Sequence, residues 1–137
     1  MNLSFENFLP LLPVGILGLT TVVVMLAIAF ARHHWWNATL TVIGLNLALV
    51  SVVGLVFEQT KPVGITPLLV VDNFAYFYMG LILVAALACA TLTHAFLDSY
   101  KNNREEMYLL LLIATAGALV LVCSRHMASF FIGLELM

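Results

Sequence analysis

Apolar residues fill four long stretches of the chain, and short polar segments separate them. Counted between ionisable side chains, the stretches are residues 8–31, 35–57, 73–93 and 107–124. A helix needs about 20 apolar residues to cross a bilayer core of about 30 Å, and each stretch is close to that length. None of them alternates polar and apolar residues with a period of two, which disfavours a transmembrane barrel. The pattern predicts an all-α, polytopic bundle of transmembrane helices.

Polar and helix-breaking residues set the predicted bounds of these helices. Four full helices and a truncated fifth are predicted, at residues 8–31, 36–57, 73–97, 105–123 and 127–137. The chain, residues 1–137, is predicted to form one transmembrane domain. The fifth helix rises only about 16 Å from Met127 to Met137, roughly half of the bilayer core. We therefore expect the chain to be the N-terminal part of a longer protein.

Two features of the connection between the second and third helices bear on its structure. Pro62, Gly64 and Pro67 disfavour helix, and they predict a surface loop. Asp72 directly precedes the third apolar stretch, where a carboxylate can accept a hydrogen bond from a free backbone N–H group. Asp72 is therefore a candidate N-cap of the third helix.

The composition agrees with a membrane protein and excludes several other classes. Hydrophobic residues make up 64% of the chain, charged residues only 9%, and the formal net charge is −2. There is no basic block of the kind that binds nucleic acid. Cys89 and Cys123 lie inside apolar stretches, and we interpret them as small buried residues. Two cysteines are too few for a four-thiolate iron–sulfur cluster.

Small residues recur at a spacing of four within the predicted helices. The pairs are Gly44 with Ala48, Ala86 with Ala90, and Ala114 with Ala118. Small residues at this spacing lie on one helix face and let two helices approach closely. We expect these pairs to form packing contacts.

The segment "FFIGLELM", residues 130–137, contains one carboxylate among apolar and small residues. That residue, Glu135, lies about 12 Å beyond the predicted start of the fifth helix. An ionised carboxylate at such a depth costs about 3 kcal/mol, so intramembrane carboxylates usually face a partner charge, a bundle interior or water. Loss of hydration favours the protonated form, and a nearby cation favours the carboxylate. Glu135 is therefore the candidate proton-transfer residue; the alternative is a carboxylate without function at the chain's end.

Other polar residues are weaker candidates for a proton path. Arg125 and His126 precede the fifth helix, where a solvated turn at the lipid headgroups explains them equally well. Asn46 lies in the middle of the second helix and either lines a water path or forms an interhelical hydrogen bond. His33 and His34 point about 100° apart on a helix and have no visible third ligand, so no metal site is predicted.

Three segments resemble one known family. "SRHMASFFIGLELM" resembles the start of the fifth helix in subunit N of bacterial NADH-quinone oxidoreductase, respiratory complex I. "VVDNFAYFYMGLIL" is similar to the start of that family's third helix, and "REEMYLLLLIATAGALVLVCS" is similar to its fourth. The resemblance continues along the whole chain. It implies the N-terminal part of an antiporter-like membrane subunit.

The resemblance also implies a function and a set of partners. Glu135 matches a glutamate that belongs to a proton channel together with lysines on later helices. The chain would be a subunit of a proton-pumping NADH:quinone oxidoreductase in the bacterial inner membrane, bound to other membrane subunits of the complex and surrounded by lipid. NADH, FMN, iron–sulfur clusters and quinone would bind elsewhere in the complex, with no cofactor or metal in this chain.

Two alternative functions remain open from the sequence. The first is a small four-helix multidrug transporter that exchanges protons for drug cations. Such transporters commonly carry their essential glutamate in the first helix, and residues 8–31 contain no ionisable side chain. The second alternative is a purely structural subunit whose small-residue faces pack against neighbours.

Overall fold

The structure is a computed structural model that describes residues 9–30, 34–57, 63–66, 68–97 and 105–137. Its elements are α1 (Leu12–Phe30), α2 (His34–Phe57), β1 (Val63–Thr66), β2 (Leu69–Val71), α3 (Asn73–Leu97), α4 (Glu106–Cys123) and α5 (Met127–Leu136). The first four helices are long and apolar enough to cross a membrane, and α5 is a shorter apolar helix. The predicted bundle of four long helices and a shorter fifth is confirmed.

The helix ends differ from the predicted bounds by a few residues. A short 3₁₀ turn covers residues 9–11, and α1 begins only at Leu12. Pro13 is then the second residue of α1, where a missing N–H group costs no helical hydrogen bond. In contrast, α2 begins at His34, earlier than the predicted residue 36, so that Trp35 belongs to the helix together with Trp36. Both indole rings are 69% exposed, as suits residues near a membrane surface.

The connection between α2 and α3 contains a β-hairpin, so the prediction of a surface loop around Pro62, Gly64 and Pro67 is wrong for residues 63–66. β1 and β2 pair antiparallel, with Val63 opposite Val71 and Gly64 opposite Val70. The register shifts between Gly64 and Thr66, where the ladder is irregular. The sequence "VGITPLLVV" is rich in β-branched residues, which favour strands and explain why this segment pairs.

The hairpin leads directly into α3 through a capped helix end. Asp72 lies between Val71, the last residue of β2, and Asn73, the first of α3. Its Oδ1 atom accepts a hydrogen bond of 2.8 Å from the Ala75 N–H group. Its negative charge also lies at the positive end of the helix dipole. The predicted cap at Asp72 is confirmed, and it satisfies one of the free backbone N–H groups in the first turn of α3.

Each helix packs on the next one along the chain, and α1 also packs on α4. The resulting core lies between α1, α2, α3 and α4; its fully buried members include Leu17, Val24, Leu45, Ala48, Met79, Leu83, Leu112 and Leu119. Large apolar side chains also cover the outside, and Leu19 (68% exposed), Val50 (67%) and Leu92 (71%) are examples. This arrangement suits a bundle whose outer surface faces lipid.

Two of the predicted small-residue pairs lie in helix contacts. Gly44 packs against Thr20 of α1 so closely that a Cβ atom there would lie 2.8 Å from the Thr20 Cβ. Ala86 and Ala90 of α3 are buried in the core. On α4, Gly117 makes a close approach to α5, and the predicted Ala114 and Ala118 are half-buried.

Asn37 of α2 provides a test of this packing. Its side chain is fully buried, and neither amide atom has a hydrogen-bond partner among the described residues. A buried amide without partners is unfavourable by about 1–3 kcal/mol, and an apolar group of similar shape removes that cost. We therefore expect Asn37→Leu to raise the free energy of unfolding by about 1 kcal/mol or more, measured as a higher melting temperature in detergent.

Thr41→Val is the matched control for this experiment. Thr41 is also fully buried in α2, but its hydroxyl donates a 2.8 Å hydrogen bond to the Asn37 carbonyl oxygen. Losing this satisfied bond is expected to lower the free energy of unfolding by about 1 kcal/mol. A lower melting temperature for Asn37→Leu would contradict the interpretation of an unpaired amide.

Candidate functional site

Glu135 lies near the end of α5, on the face of that helix that is not used for packing. Ser129 and Gly133 are the buried residues of α5, and their spacing of four places them on one face. Glu135 follows Gly133 by two residues, about 200° around the helix axis, and its side chain is exposed. Its carboxylate makes no hydrogen bond or ion pair with the described part of the chain. The packing of α5 therefore directs Glu135 away from the other described helices.

The start of α5 is anchored to the β-hairpin by backbone and side-chain hydrogen bonds. The carbonyl oxygen of Leu68, just before β2, accepts from the Arg125 N–H group at 3.0 Å. It also accepts from the Ser129 hydroxyl at 2.9 Å. Next to these bonds, Leu69 and Ser124 form an isolated antiparallel bridge. The turn between α4 and α5 is thus fixed against the connection between α2 and α3.

Two glycines determine how closely α5 packs on α4. A Cβ atom added to Gly133 would lie 2.9 Å from the Leu121 nitrogen and 3.1 Å from the Gly117 carbonyl oxygen. A Cβ atom added to Gly117 would lie 2.9 Å from the Gly133 carbonyl oxygen. The two helices meet backbone to backbone, which only residues without side chains permit.

The other proposed path residues do not gather around Glu135. Arg125 and His126 are exposed at the start of α5, about 13 Å or more from Glu135 by helical rise. Asn46 is exposed on α2, and its Nδ2 donates a 2.8 Å bond to the Val42 carbonyl oxygen of the same helix. The expected bond of Asn46 to a neighbouring helix is therefore replaced by one within α2.

The remaining histidines and cysteines do not form a site with Glu135. The ring of His94, near the end of α3, packs edge-on against Trp35 with centroids 5.6 Å apart. His33 and the side chain of His34 lie outside the described residues. Among the described residues, no three His, Cys, Asp or Glu side chains lie close enough to hold a metal ion. Cys123 is buried as predicted, but Cys89 is exposed on the outside of α3, which corrects its interpretation.

Sequence reasoning missed the residues through which α5 contacts the hairpin and α4, namely Leu68, Ser129, Gly117 and Gly133. Gly117 and Gly133 occur in different helices, so no spacing within one helix relates them. Ser129 is separated from Leu68 by 61 residues. The available signal was weak: one glycine near the middle of each of the last two helices.

Over 137 residues, 99% of its length, the chain is 51% identical to NADH-quinone oxidoreductase subunit N of Acinetobacter baumannii (strain AB0057). The chain is homologous to subunit N of NADH-quinone oxidoreductase. This homology confirms the resemblance to that family. Together with the four apolar helices, it identifies a multi-pass membrane protein. The chain spans 28% of the length of that subunit N, and no family model matches it.

The glycine contact makes a specific prediction for stability. Gly133→Ala places a methyl group against the α4 backbone, so that α5 must shift away from α4. We expect the free energy of unfolding to fall by about 1–3 kcal/mol, measured as a lower melting temperature in detergent.

Gly54→Ala is the matched control, because Gly54 is a helical glycine with open space around it. Alanine there is expected to stabilise the protein by about 0.5–1 kcal/mol through its higher helix propensity. Equal effects of the two substitutions would show that the contact between α4 and α5 is not as close as described.

Proposed function

We propose that the intact protein is a membrane subunit of a proton-pumping NADH-quinone oxidoreductase, and that Glu135 transfers protons within the membrane. The observation that carries the proposal is the single carboxylate of α5, in a chain that is homologous to subunit N. The homology supports the oxidoreductase complex, and the position of Glu135 supports proton transfer.

The surroundings of Glu135 supply the physical argument. It lies about 12 Å along α5, between Leu134 (53% exposed) and Leu136 (44% exposed), on a surface suited to lipid or to further helices. Holding an ionised carboxylate there costs about 3 kcal/mol unless a cation or water compensates. A cation that approaches favours the carboxylate, and its withdrawal favours the protonated acid. Such a residue binds and releases a proton as its partner changes.

The partner of Glu135 belongs to the rest of the subunit in this proposal. No described residue of the chain pairs with the carboxylate, and the exposed face of α5 leaves room for further helices. Lysines on later helices, as the family resemblance implies, would supply the charge. Other membrane subunits of the complex would pack on the apolar outer faces, in the bacterial inner membrane.

The redox chemistry is proposed to take place in other subunits. NADH, FMN, the iron–sulfur clusters and quinone would bind there, and this chain would contribute proton transfer only. We propose that protons reach Glu135 from the end of α5 at which Arg125 and His126 lie, since both residues are exposed beside its first turn. Asn46 is a less direct candidate because its amide bonds within α2.

The transporter alternative has little support. The described first helix, Leu12–Phe30, contains no ionisable residue, and the homology is with an oxidoreductase subunit. The structural alternative differs from the proposal only in the role of Glu135. Replacement of Glu135 by glutamine distinguishes the two.

The decisive experiment replaces Glu135 by glutamine in the intact subunit within the assembled complex. Glutamine keeps the size of the side chain but cannot release a proton. We expect NADH-driven proton pumping in membrane vesicles to fall at least about tenfold, equivalent to about 1.4 kcal/mol or more in the barrier for transfer. Pumping is measured with a pH-sensitive dye, and NADH oxidation by quinone is measured in parallel.

Glu106→Gln is the control, because Glu106 is an exposed carboxylate in the first turn of α4. It should leave both activities at the wild-type level. Unchanged pumping in an assembled Glu135→Gln complex would leave only the structural role.

A further inference from the structure

We propose that Ser129 is a positioning residue for Glu135, acting through the hydrogen bond that links α5 to the β-hairpin. Ser129 does not contact Glu135 itself. Its hydroxyl would fix the rotation of α5 about its axis, and with it the direction in which Glu135 points. This inference rests on the proposed function of Glu135.

The hydroxyl of Ser129 lies between two elements. It is 2.9 Å from the Leu68 carbonyl oxygen and 2.9 Å from the His126 carbonyl oxygen, so that its single proton can be shared between them. Its oxygen also accepts from the His126 N–H group at 3.4 Å. One bond therefore closes the first turn of α5, and the other reaches an element that is distant along the chain.

The Leu68 carbonyl is a firm anchor for this bond. Leu68 is followed at once by β2, whose last residue, Val71, is only 1% exposed and belongs to the core. The Asp72 cap then joins β2 to α3. A bond to Leu68 is consequently a bond to the body of the bundle, not to a free loop.

The glycine contact alone would not determine the rotation of α5. Gly117 and Gly133 bar a large turn of α5, because a side chain brought between the two backbones would clash, but they have no side chains that would fix a smaller rotation or a slide. A hydrogen bond is directional and weakens steeply when its angle departs from linear. Rotation of α5 would break the bond of Ser129 to Leu68 and leave this hydroxyl, which is only 6% exposed, bonded to the His126 carbonyl of its own turn alone.

The rotation of α5 matters because it determines where Glu135 lies relative to the packed face of this helix. Ser129 and Gly133 share the packed face, and Glu135 lies six residues beyond Ser129. A rotation of α5 by a part of the angle of about 100° between successive residues already turns the carboxylate away from the side on which its partner would lie. The hydroxyl of Ser129 thus fixes, within the range that the glycine contact allows, the direction in which Glu135 points.

The test uses the intact subunit in its assembled complex, with Ser129→Ala and Ser129→Thr compared. Two quantities are measured: the rate at which a lipid-soluble carbodiimide modifies Glu135, followed by peptide mass spectrometry, and the pH midpoint of NADH-driven pumping. In Ser129→Ala we expect the modification rate to change about two- to tenfold, the range that one hydrogen bond supports, and the pH midpoint to shift. Ser129→Thr retains the hydroxyl and should restore both values.

Ser51→Ala is the matched control, because Ser51 is a partly buried helical serine that bonds only the Ala48 carbonyl oxygen of its own helix. It should give wild-type values of both quantities. The proposal is overturned if the modification rate is unchanged in an assembled Ser129→Ala complex, or if threonine fails to restore it. Where Glu135→Gln abolishes pumping, an unchanged pH midpoint in Ser129→Ala also overturns it. Loss of assembly in Ser129→Ala would also overturn it, since Ser129 would then be needed for folding alone.

The experiment distinguishes a failure of the proposed function of Glu135 from a failure of the proposed role of Ser129. If Glu135→Gln pumps normally, the pH midpoint no longer reports on Glu135. The modification rate still reports on the direction of that side chain, and it then decides the role of Ser129 by itself.

Discussion

The interior of a bilayer offers no water to polar groups, so a polar group without a hydrogen-bond partner in the protein is unfavourable there. The helices satisfy their own backbones, and hydroxyl groups follow the same rule by donating to a carbonyl oxygen three or four residues earlier. Besides Ser129, the described residues that do so are Thr20, Thr21, Thr39, Thr41, Ser51, Thr91, Thr115 and Ser124. The amide nitrogen of Asn46 likewise donates to a carbonyl oxygen four residues earlier, that of Val42. These bonds are local, and they leave the helix faces free to pack through apolar and small residues.

Departures from this local rule mark the positions where the tertiary structure is specific. Ser129 bonds not only within its own turn but also to Leu68 of the hairpin, and Arg125 adds a backbone bond to the same carbonyl. That carbonyl lies outside any helix, so it is available for partners from another part of the chain. The hairpin is therefore more than a connection between α2 and α3, because it orders the helix that carries Glu135.

Glu135 departs from the rule in another way, since its carboxylate has no partner among the described residues. A structural carboxylate in such a helix would be expected to bond within the bundle, as Asp72 does at the start of α3. A residue that transfers protons needs a partner whose distance or charge changes, and the outward face of α5 is where such a partner can approach. The homology with subunit N supports this interpretation, although the chain spans only 28% of that subunit.

Much of the architecture could be predicted from local properties of the sequence. The length of the apolar stretches determined the number of membrane helices, because helix rise and bilayer thickness leave little freedom. The cap at Asp72 was predictable because it involves neighbours in the chain, and Glu135 was conspicuous because a carboxylate is rare in such a segment. The strands at 63–66 and 69–71 were missed because Pro62, Gly64 and Pro67 outweighed the β-branched residues of this segment in the prediction.

The sequence by itself determined which segments are helical and which residue carries the charge. Only the tertiary structure decided which way that charge faces. The contact of Gly117 with Gly133 and the bond of Ser129 to Leu68 join residues that are far apart in the chain, and no local pattern relates them. The direction of a side chain on a membrane helix depends on which face packs, and packing is a property of two surfaces rather than of one.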